Sequence, residues 1–251
     1  MNGISWSGQI RGLIVIPAFN ESEGLKEQLH DVWAVLRQWP LGRMKSMDIL
    51  VVDDGSTDNT SVIAREAGVL VARHAVNLGA GAASQTGYRY ALKHGYNLVL
   101  HIDGDGQHPP QSLGAMLDFY DSQPVDCVIG SRFLQGATSP MSLVRRCGNR
   151  VVSLVVSRLS GQRVTDSTSG MRILGERALR VWACDYPVDF PDAEALLILA
   201  DAGCTWAEMP VVMEPRRSGT SMFTPARMLY YPFKILVVLI GILVFRLSRR
   251  Q

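Results

Sequence analysis

Residues 96–110, YNLVLHIDGDGQHPP, decide how the rest of the chain is read. The apolar run 96–100 has the length and composition of a buried strand, and it leads into two carboxylates, Asp103 and Asp105. Packing does not explain that pair, because leaving even one charge buried and unpaired costs several kcal/mol. In extended backbone, residues i and i+2 point to the same face and lie roughly 6 to 7 Å apart, so both carboxylates can converge on one small cation. Oxygen donors suit Mg2+ or Mn2+, and Mg2+ commonly takes one or two protein carboxylates together with substrate phosphates. Gln107 offers a third oxygen, and Gly104 and Gly106 allow close backbone approach. A solvated acidic turn is the plain alternative for this segment taken alone. The motifs around it weigh against that.

Upstream, short β-branched runs alternate with longer helical patterns, the mark of a parallel sheet with crossover helices. Strands are expected at residues 12–16, 48–52, 69–73, 96–102 and 125–129, and helices at 21–38, 58–66, 81–93 and 110–120. No repeat or low-complexity linker interrupts them. Residues 1–225 therefore read as one α/β domain, followed by an apolar segment at 226–251. Open α/β sheets bind ligands beyond the carboxyl ends of their strands. Here the strand ends run into Pro17-Ala18-Phe19-Asn20-Glu21, Asp53-Asp54-Gly55-Ser56, Asn77-Leu78-Gly79-Ala80-Gly81, Asp103-Gly104-Asp105 and Gly130-Ser131-Arg132. A shared ligand site accounts for all five.

Individual residues carry plainer alternatives. Asp53 and Asp54 either open a turn or accept hydrogen bonds from a nucleobase N–H or a ribose hydroxyl. Asp58 reads as the N-cap of the following helix. Gly79 and Gly81 form a G-x-G, but Ser84 stands where a dinucleotide fingerprint has its third glycine, and no GKS or GKT phosphate loop occurs. The segment is better read as a loop that approaches phosphate or sugar. His101 and His108 read as structural hydrogen-bonders, and Trp182 and Trp206 as packing residues.

Composition sets outer limits. The 251 residues are 47% hydrophobic and 19% charged, enough for one large domain with a buried core. A formal charge of +2 gives no sign of a nucleic-acid surface. The four cysteines, Cys127, Cys147, Cys184 and Cys204, lack a CxxC spacing and are expected to be reduced core thiols. Residues 13–16 are too short an apolar run for a signal peptide, so the catalytic part is expected in the cytosol.

Taken together, VIPAFNE, VVDDGSTDNT, NLGAGAA, DGDGQHPP and GSRF resemble, in order and spacing, the inverting family 2 glycosyltransferases of the GT-A fold. The similarity is greatest to polyprenyl-phosphate, dolichol-phosphate mannose synthase-like transferases. It continues through Arg145-Arg146-Cys147-Gly148-Asn149, Asp166-Ser-Thr-Ser-Gly-Met-Arg172, Asp192-Ala193-Glu194 and Glu208-Met-Pro, covering about residues 12–225. The resemblance implies a Rossmann-like, mostly parallel sheet flanked by helices. It implies that Pro17, Ala18, Asn20, Glu21, Asp53 and Asp54 hold the nucleoside. Asp103, Asp105 and Gln107 would hold the metal on the diphosphate. Arg132, Arg145 and Arg146 would approach the acceptor phosphate, with Ser169, Gly170 and Arg172 completing a phosphate wall. One departure is Val76, where many relatives carry a basic residue.

The acceptor decides which further groups the chemistry needs. A hydroxyl must lose a proton, and Asp192 or Glu194 are the candidate bases. A lipid phosphate is already anionic, with a second pKa of about 6; it needs orientation, which the guanidinium fork of arginine supplies. Four arginines favour the phosphate. The apolar stretch at residues 228–245 favours a lipid too, although it holds Lys234 and is flanked by basic residues on both sides. We expect a helix that lies in the membrane interface, or that packs on a small membrane partner or a second copy. The expected partners are a nucleotide diphosphate sugar, polyprenyl phosphate and the cytoplasmic membrane surface. A polysaccharide hydroxyl acceptor and a non-catalytic nucleotide-binding subunit are the alternatives. Residues 215–221 read as a polar lid over the site.

Overall fold

Strand β1 (Ile10–Ala18) buries Leu13, Ile14, Val15 and Ile16 in succession. A run with no polar alternation requires cover on both faces, as in a central parallel strand. The computed structural model provides it, and describes residues 10–38, 44–107, 109–134, 143–188, 191 and 193–213. After β1 come α1 (Ser22–Gln38), β2 (Met44–Asp53), α2 (Thr60–Glu66), β3 (Leu70–Arg73), α3 (Ala80–Lys93), β4 (Leu98–His101), α4 (Gln111–Ser122) and β5 (Cys127–Ser131). These nine match the expected elements to within a few residues. Five more follow in the second half: α5 (Leu143–Ser160), β6 (Arg172–Gly175), α6 (Glu176–Cys184), α7 (Ala193–Asp201) and β7 (Trp206–Pro210).

The sheet order is β3-β2-β1-β4-β6-β5-β7. β1 pairs in parallel with both β2 and β4, so the chain leaves β1 in one direction and returns on its other side. That reversal opens the crevice in which α/β sheets bind ligands. β6 runs antiparallel to β4 and β5, with Arg172 opposite both His101 and Ile129. Because β6 is reversed, the segment before it, Ser169 and Gly170, reaches the same edge as the carboxyl ends of β4 and β5.

Successive β1 residues serve two cores. Ile14 and Ile16 pack with Leu25 and Leu29 of α1 and Met116 of α4; Leu13 and Val15 pack with α3, α5, α6 and α7. Trp182 is buried and donates Nε1–H to the Ala195 carbonyl at 2.9 Å, and Trp206 donates to the Arg163 carbonyl at 3.0 Å. Two cysteines differ from expectation. Cys127 and Cys204 are buried, whereas Cys147 and Cys184 are exposed near helix ends that leave one face in solvent. Burial, partly opposed by Arg172, pushes the Cys127 thiol up to about 12.

Asp58 does more than expected: it takes the first amide of α2 and also one of α1. The N-cap of α2 is Asn59. Asp58 accepts from Thr60 backbone N–H at 2.9 Å and, through its other oxygen, from Ser22 N–H at 3.0 Å. It therefore caps α1 across the chain, satisfying an amide that the helix itself leaves without a partner. The sequence interval of 36 residues hides that role. Among the described residues no helix is long and apolar enough to cross a membrane. The expected interfacial helix at 228–245 and the lid at 215–221 lie outside the described residues.

The Asp58 carboxyl has its pKa lowered: burial acts to raise it, but hydrogen bonds from Thr60 and Ser22 together outweigh burial. Its contribution is thus present above the ordinary value of 3.8 and is lost as pH falls through the folded value. Asp58→Ala should cost about 1 kcal/mol at pH 7. Urea unfolding at stepped pH should show that gap closing below pH 3.8.

Candidate active site

Backbone contacts bring the motifs together at one edge. The Asp54 amide donates to the Ala18 carbonyl at 2.9 Å, and the Ile102 amide to the Val15 carbonyl at 3.1 Å. Gly104 lies so close to β1 that a Cβ there would stand 2.6 Å from the Pro17 carbonyl oxygen. Gly170 is tighter: a Cβ there would overlap the Asp103 carboxylate. At Gly104 the obstacle is backbone, which only glycine passes, whereas at Gly170 a side chain would displace the Asp103 carboxylate. Gln28, buried on α1, donates Nε2–H to the Asp103 carbonyl at 2.7 Å and fixes the strand end from the other core.

From Ile102 to Gln107 the chain alternates between buried and partly exposed, with Asp103, Asp105 and Gln107 all on the partly exposed side. The Asp103 side chain is 43% exposed. Below it, His101 is buried; its Nε2 lies 3.8 Å from Asp103 Oδ1, and its Nδ1 lies 2.8 Å from the Tyr88 hydroxyl. Burial, together with neighbouring Tyr186, raises the Tyr88 pKa well above its ordinary value, so the hydroxyl keeps its proton. The hydroxyl can donate a hydrogen bond to Nδ1, which would leave Nε2 carrying the N–H toward the carboxylate. Among the described residues no three His, Cys, Asp or Glu side chains form a closed metal cage. Asp105 accepts the Gln107 amide through Oδ1 at 3.1 Å; two partly exposed carboxylates and an amide oxygen are donor types that suit a hard cation completing its shell with phosphate oxygens and water.

Asp53 and Asp54 are both buried and engaged within the protein. Asp53 accepts from Ser56 N–H at 2.8 Å and from the Ser61 hydroxyl, and pairs with Arg73 at 3.5 Å. Asp54 accepts from Leu78 N–H at 2.9 Å and Gly79 N–H at 2.8 Å, and its Oδ1 lies 2.7 Å from His74 Nδ1. The pair thus tethers the loop before α3. Its first turn starts at Ala80 after Gly79 and carries no acidic residue. A Cβ on Gly81 would overlap the Pro187 and Val188 carbonyls, which brings the chain leading to α7 against this turn. Asn20 holds a left-handed φ of 54° and accepts from Thr57 N–H at 2.9 Å, while the Glu21 amide donates to Thr60 Oγ1 at 3.0 Å. The first two strand ends are thereby laced together.

The arginines divide into two groups. Arg132 is buried, and its guanidinium clasps Asp166 at 2.6 and 2.7 Å, with a further bond to Thr168 Oγ1 at 2.6 Å. Arg172 is buried as well, donates to the Ser167 carbonyl at 3.1 Å and lies over the Trp182 ring at 5.1 Å. The structure therefore turns both inward. Arg145 and Arg146 stand in the first turn of α5; Arg146 is exposed. Ser169 is buried and its hydroxyl accepts from Met171 N–H at 3.2 Å. Glu194 is half-buried at the start of α7, and Asp192 and His108 lie outside the described residues.

Asp166, Glu208, His74 and Tyr88 were not picked out as functional by sequence. Glu208 accepts from Thr165 N–H at 2.8 Å and Asp166 N–H at 2.8 Å. Its pKa is raised, because burial outweighs these bonds. One signal existed: a buried Arg132 demands a carboxylate, and the DSTSGMR motif holds one in Asp166.

The topology defines an α/β fold with a mostly parallel seven-stranded sheet flanked by helices. The pattern of Glycosyl transferase family 2 matches residues 13–179, and the chain belongs to that family. It is a glycosyltransferase. It is 30% identical over 67% of its length to the UDP-N-acetylglucosamine–dolichyl-phosphate N-acetylglucosaminyltransferase of Methanococcus voltae, covering 70% of that protein. It is 29% identical over 90% of its length to the polyprenol monophosphomannose synthase of Mycolicibacterium smegmatis, covering 85% of that protein. The glucosyl-3-phosphoglycerate synthase of Mycobacterium tuberculosis has the same fold, with a TM-score of 0.67 at 18% identity over 93% of this chain and 80% of that one.

Arg132→Ala would leave Asp166 buried without its counter-charge, and should cost about 3–5 kcal/mol in urea unfolding. A loss below 1 kcal/mol, on the order of a surface ion pair, would refute the clasp as a structural element.

Proposed function

We propose that this glycosyltransferase moves a hexose, with inversion, from a nucleotide diphosphate sugar to polyprenyl phosphate at the cytoplasmic face of a membrane. The observation that carries the reading is the pair Asp103 and Asp105, partly exposed just beyond the end of β4 and beside the end of β1. The named relatives that act on dolichyl phosphate and polyprenol support the acceptor. The M. tuberculosis synthase has been crystallised with Mn2+ and UDP-glucose, which supports a metal-bound diphosphate donor. Residues 1–225 would be the catalytic part and 226–251 the membrane-associated part.

In this reading Asp103, Asp105 and Gln107 hold Mg2+ or Mn2+. When bound, the ion neutralises charge that develops on the leaving diphosphate, worth several kcal/mol of barrier. The protein's own groups supply position. Pro17, Ala18, Asn20 and Glu21 border the nucleoside, and Asp53 and Asp54 act by holding the loop that carries Gly79 and Gly81. The first turn of α3 carries no acidic residue of its own; Asp54 takes the Gly79 amide just before it, and the Ala80, Gly81 and Ala82 amides that follow suit phosphate oxygens. Arg145 and Arg146 orient the acceptor phosphate, while Arg132 and Arg172, both turned inward, brace Asp166 and Ser167. The acceptor is already anionic and requires no base.

The test incubates purified protein with Mg2+ or Mn2+, labelled UDP-, GDP- or dTDP-sugars and polyprenyl phosphate, and counts label in the organic phase. Label from one donor is expected, and Asp105→Ala should remove it with the circular dichroism unchanged. Full turnover by Asp105→Ala would refute the metal assignment. Absence of lipid-borne label with every donor would refute the acceptor.

A further inference from the structure

Helix α5 has 18 residues and no Asp or Glu, but four arginines. At 100° per residue, Arg146, Cys147, Arg150, Leu154, Arg158 and Val151 fall within one arc of about 140°, and all six are exposed. Val151 is 63% exposed and Leu154 is 59% exposed. The opposite face, with Asn149, Val152, Ser153 and Val156, is buried. A helix that already packs one side has no internal reason to show two large aliphatic side chains on the other. Isolated apolar residues on a surface need no explanation, but here they sit among three guanidinium groups with no carboxylate on the helix to balance them.

We infer that this outer face of α5 is the surface on which the protein docks to an anionic lipid leaflet. The inference rests on the lipid-phosphate reading of the site and names the part of the catalytic domain that meets the membrane. Arginines pair with lipid phosphates while Val151 and Leu154 enter the headgroup boundary, the pattern of an interfacial helix face. A second copy docked symmetrically would bring the same arginines together, so charge argues against self-association there. The location also fits. On its inner face, Asn149 donates to the Thr165 carbonyl at 2.9 Å, and Ser153 bonds Thr165 and Ser167, each at 3.2 Å. That loop carries Asp166, which clasps Arg132 at the end of β5. A leaflet on the outer face therefore lies across α5 from the loop that leads through Ser169 and Gly170 to Asp103, toward which a lipid-borne phosphate must arrive.

The test uses the full chain with phosphatidylcholine vesicles, with and without phosphatidylglycerol. A fluorophore sensitive to polarity is placed on Leu154→Cys or, as control, on Asp118→Cys of α4, both in a Cys147→Ser/Cys184→Ser background. A blue shift with phosphatidylglycerol at position 154 and none at 118 is expected. Removing an arginine costs about fivefold in partitioning to an anionic surface. Arg150→Glu/Leu154→Glu/Arg158→Glu should therefore float with these vesicles at least about 25-fold less well. It should also lose transfer to vesicle-borne polyprenyl phosphate, yet keep transfer to a short acceptor in detergent. Equal flotation and vesicle activity in the triple variant would overturn the proposal. So would a probe at 154 that is already blue-shifted without lipid, which would mean that another part of the chain or a second copy covers the face. Docking without transfer to either acceptor would leave α5 as the membrane surface and sink the lipid-phosphate reading instead.

Discussion

Arg132 and Asp166 face each other in the interior at the end of β5, and much of the carboxyl edge is arranged around that ion pair. Two charges removed from water require close geometry and further hydrogen bonds to be tolerated. Both are present: Thr168 shares the guanidinium, and the Arg132 amide also donates to Asp166 at 3.0 Å. Glu208 then holds the Thr165 and Asp166 amides from β7. Asn149 and Ser153 hold the same loop from α5. The pair thus links β5, β7, α5 and the segment that passes Gly170 against Asp103.

The same constraint separates two kinds of carboxylate. Asp53, Asp54 and Asp166 are buried and meet protein donors, and their work is to hold loops in place. Asp103 and Asp105 stand on the partly exposed side of a chain whose alternate residues are buried, although Asp105 also accepts the Gln107 amide at 3.1 Å. An edge built this way needs few ligating groups of its own. Among the described residues, the loops after β2 and before β6 are held by protein hydrogen bonds of their own.

In the first half of the chain, fold and site were both legible. β1, β2, β4 and β5 show themselves as runs of buried aliphatic residues and the edge strand β3 as a short, partly exposed one, and each leads into a polar motif. The second half was less so. β6 is four residues long, and its reversal leaves no trace in local periodicity. Arg132 and Arg172 illustrate the limit within the site: as residue types they suit a phosphate, but burial turns one to Asp166 and the other to Ser167 and Trp182. Asp58 shows the same limit, since its partner Ser22 is distant in sequence.

Sequence alone determined that this is an α/β chain with its chemistry at the strand ends, because burial on both faces demands continuous apolar strands and expels charge to their termini. The ordered motifs also determined the family. Tertiary structure decided which charged groups remain at the cleft and which are consumed inside, which way β6 runs, and which face of α5 is left outward. Those outcomes depend on pairings between distant segments. A side chain's local sequence carries its charge and shape, whereas its solvent exposure and its partner are set only when the segments meet.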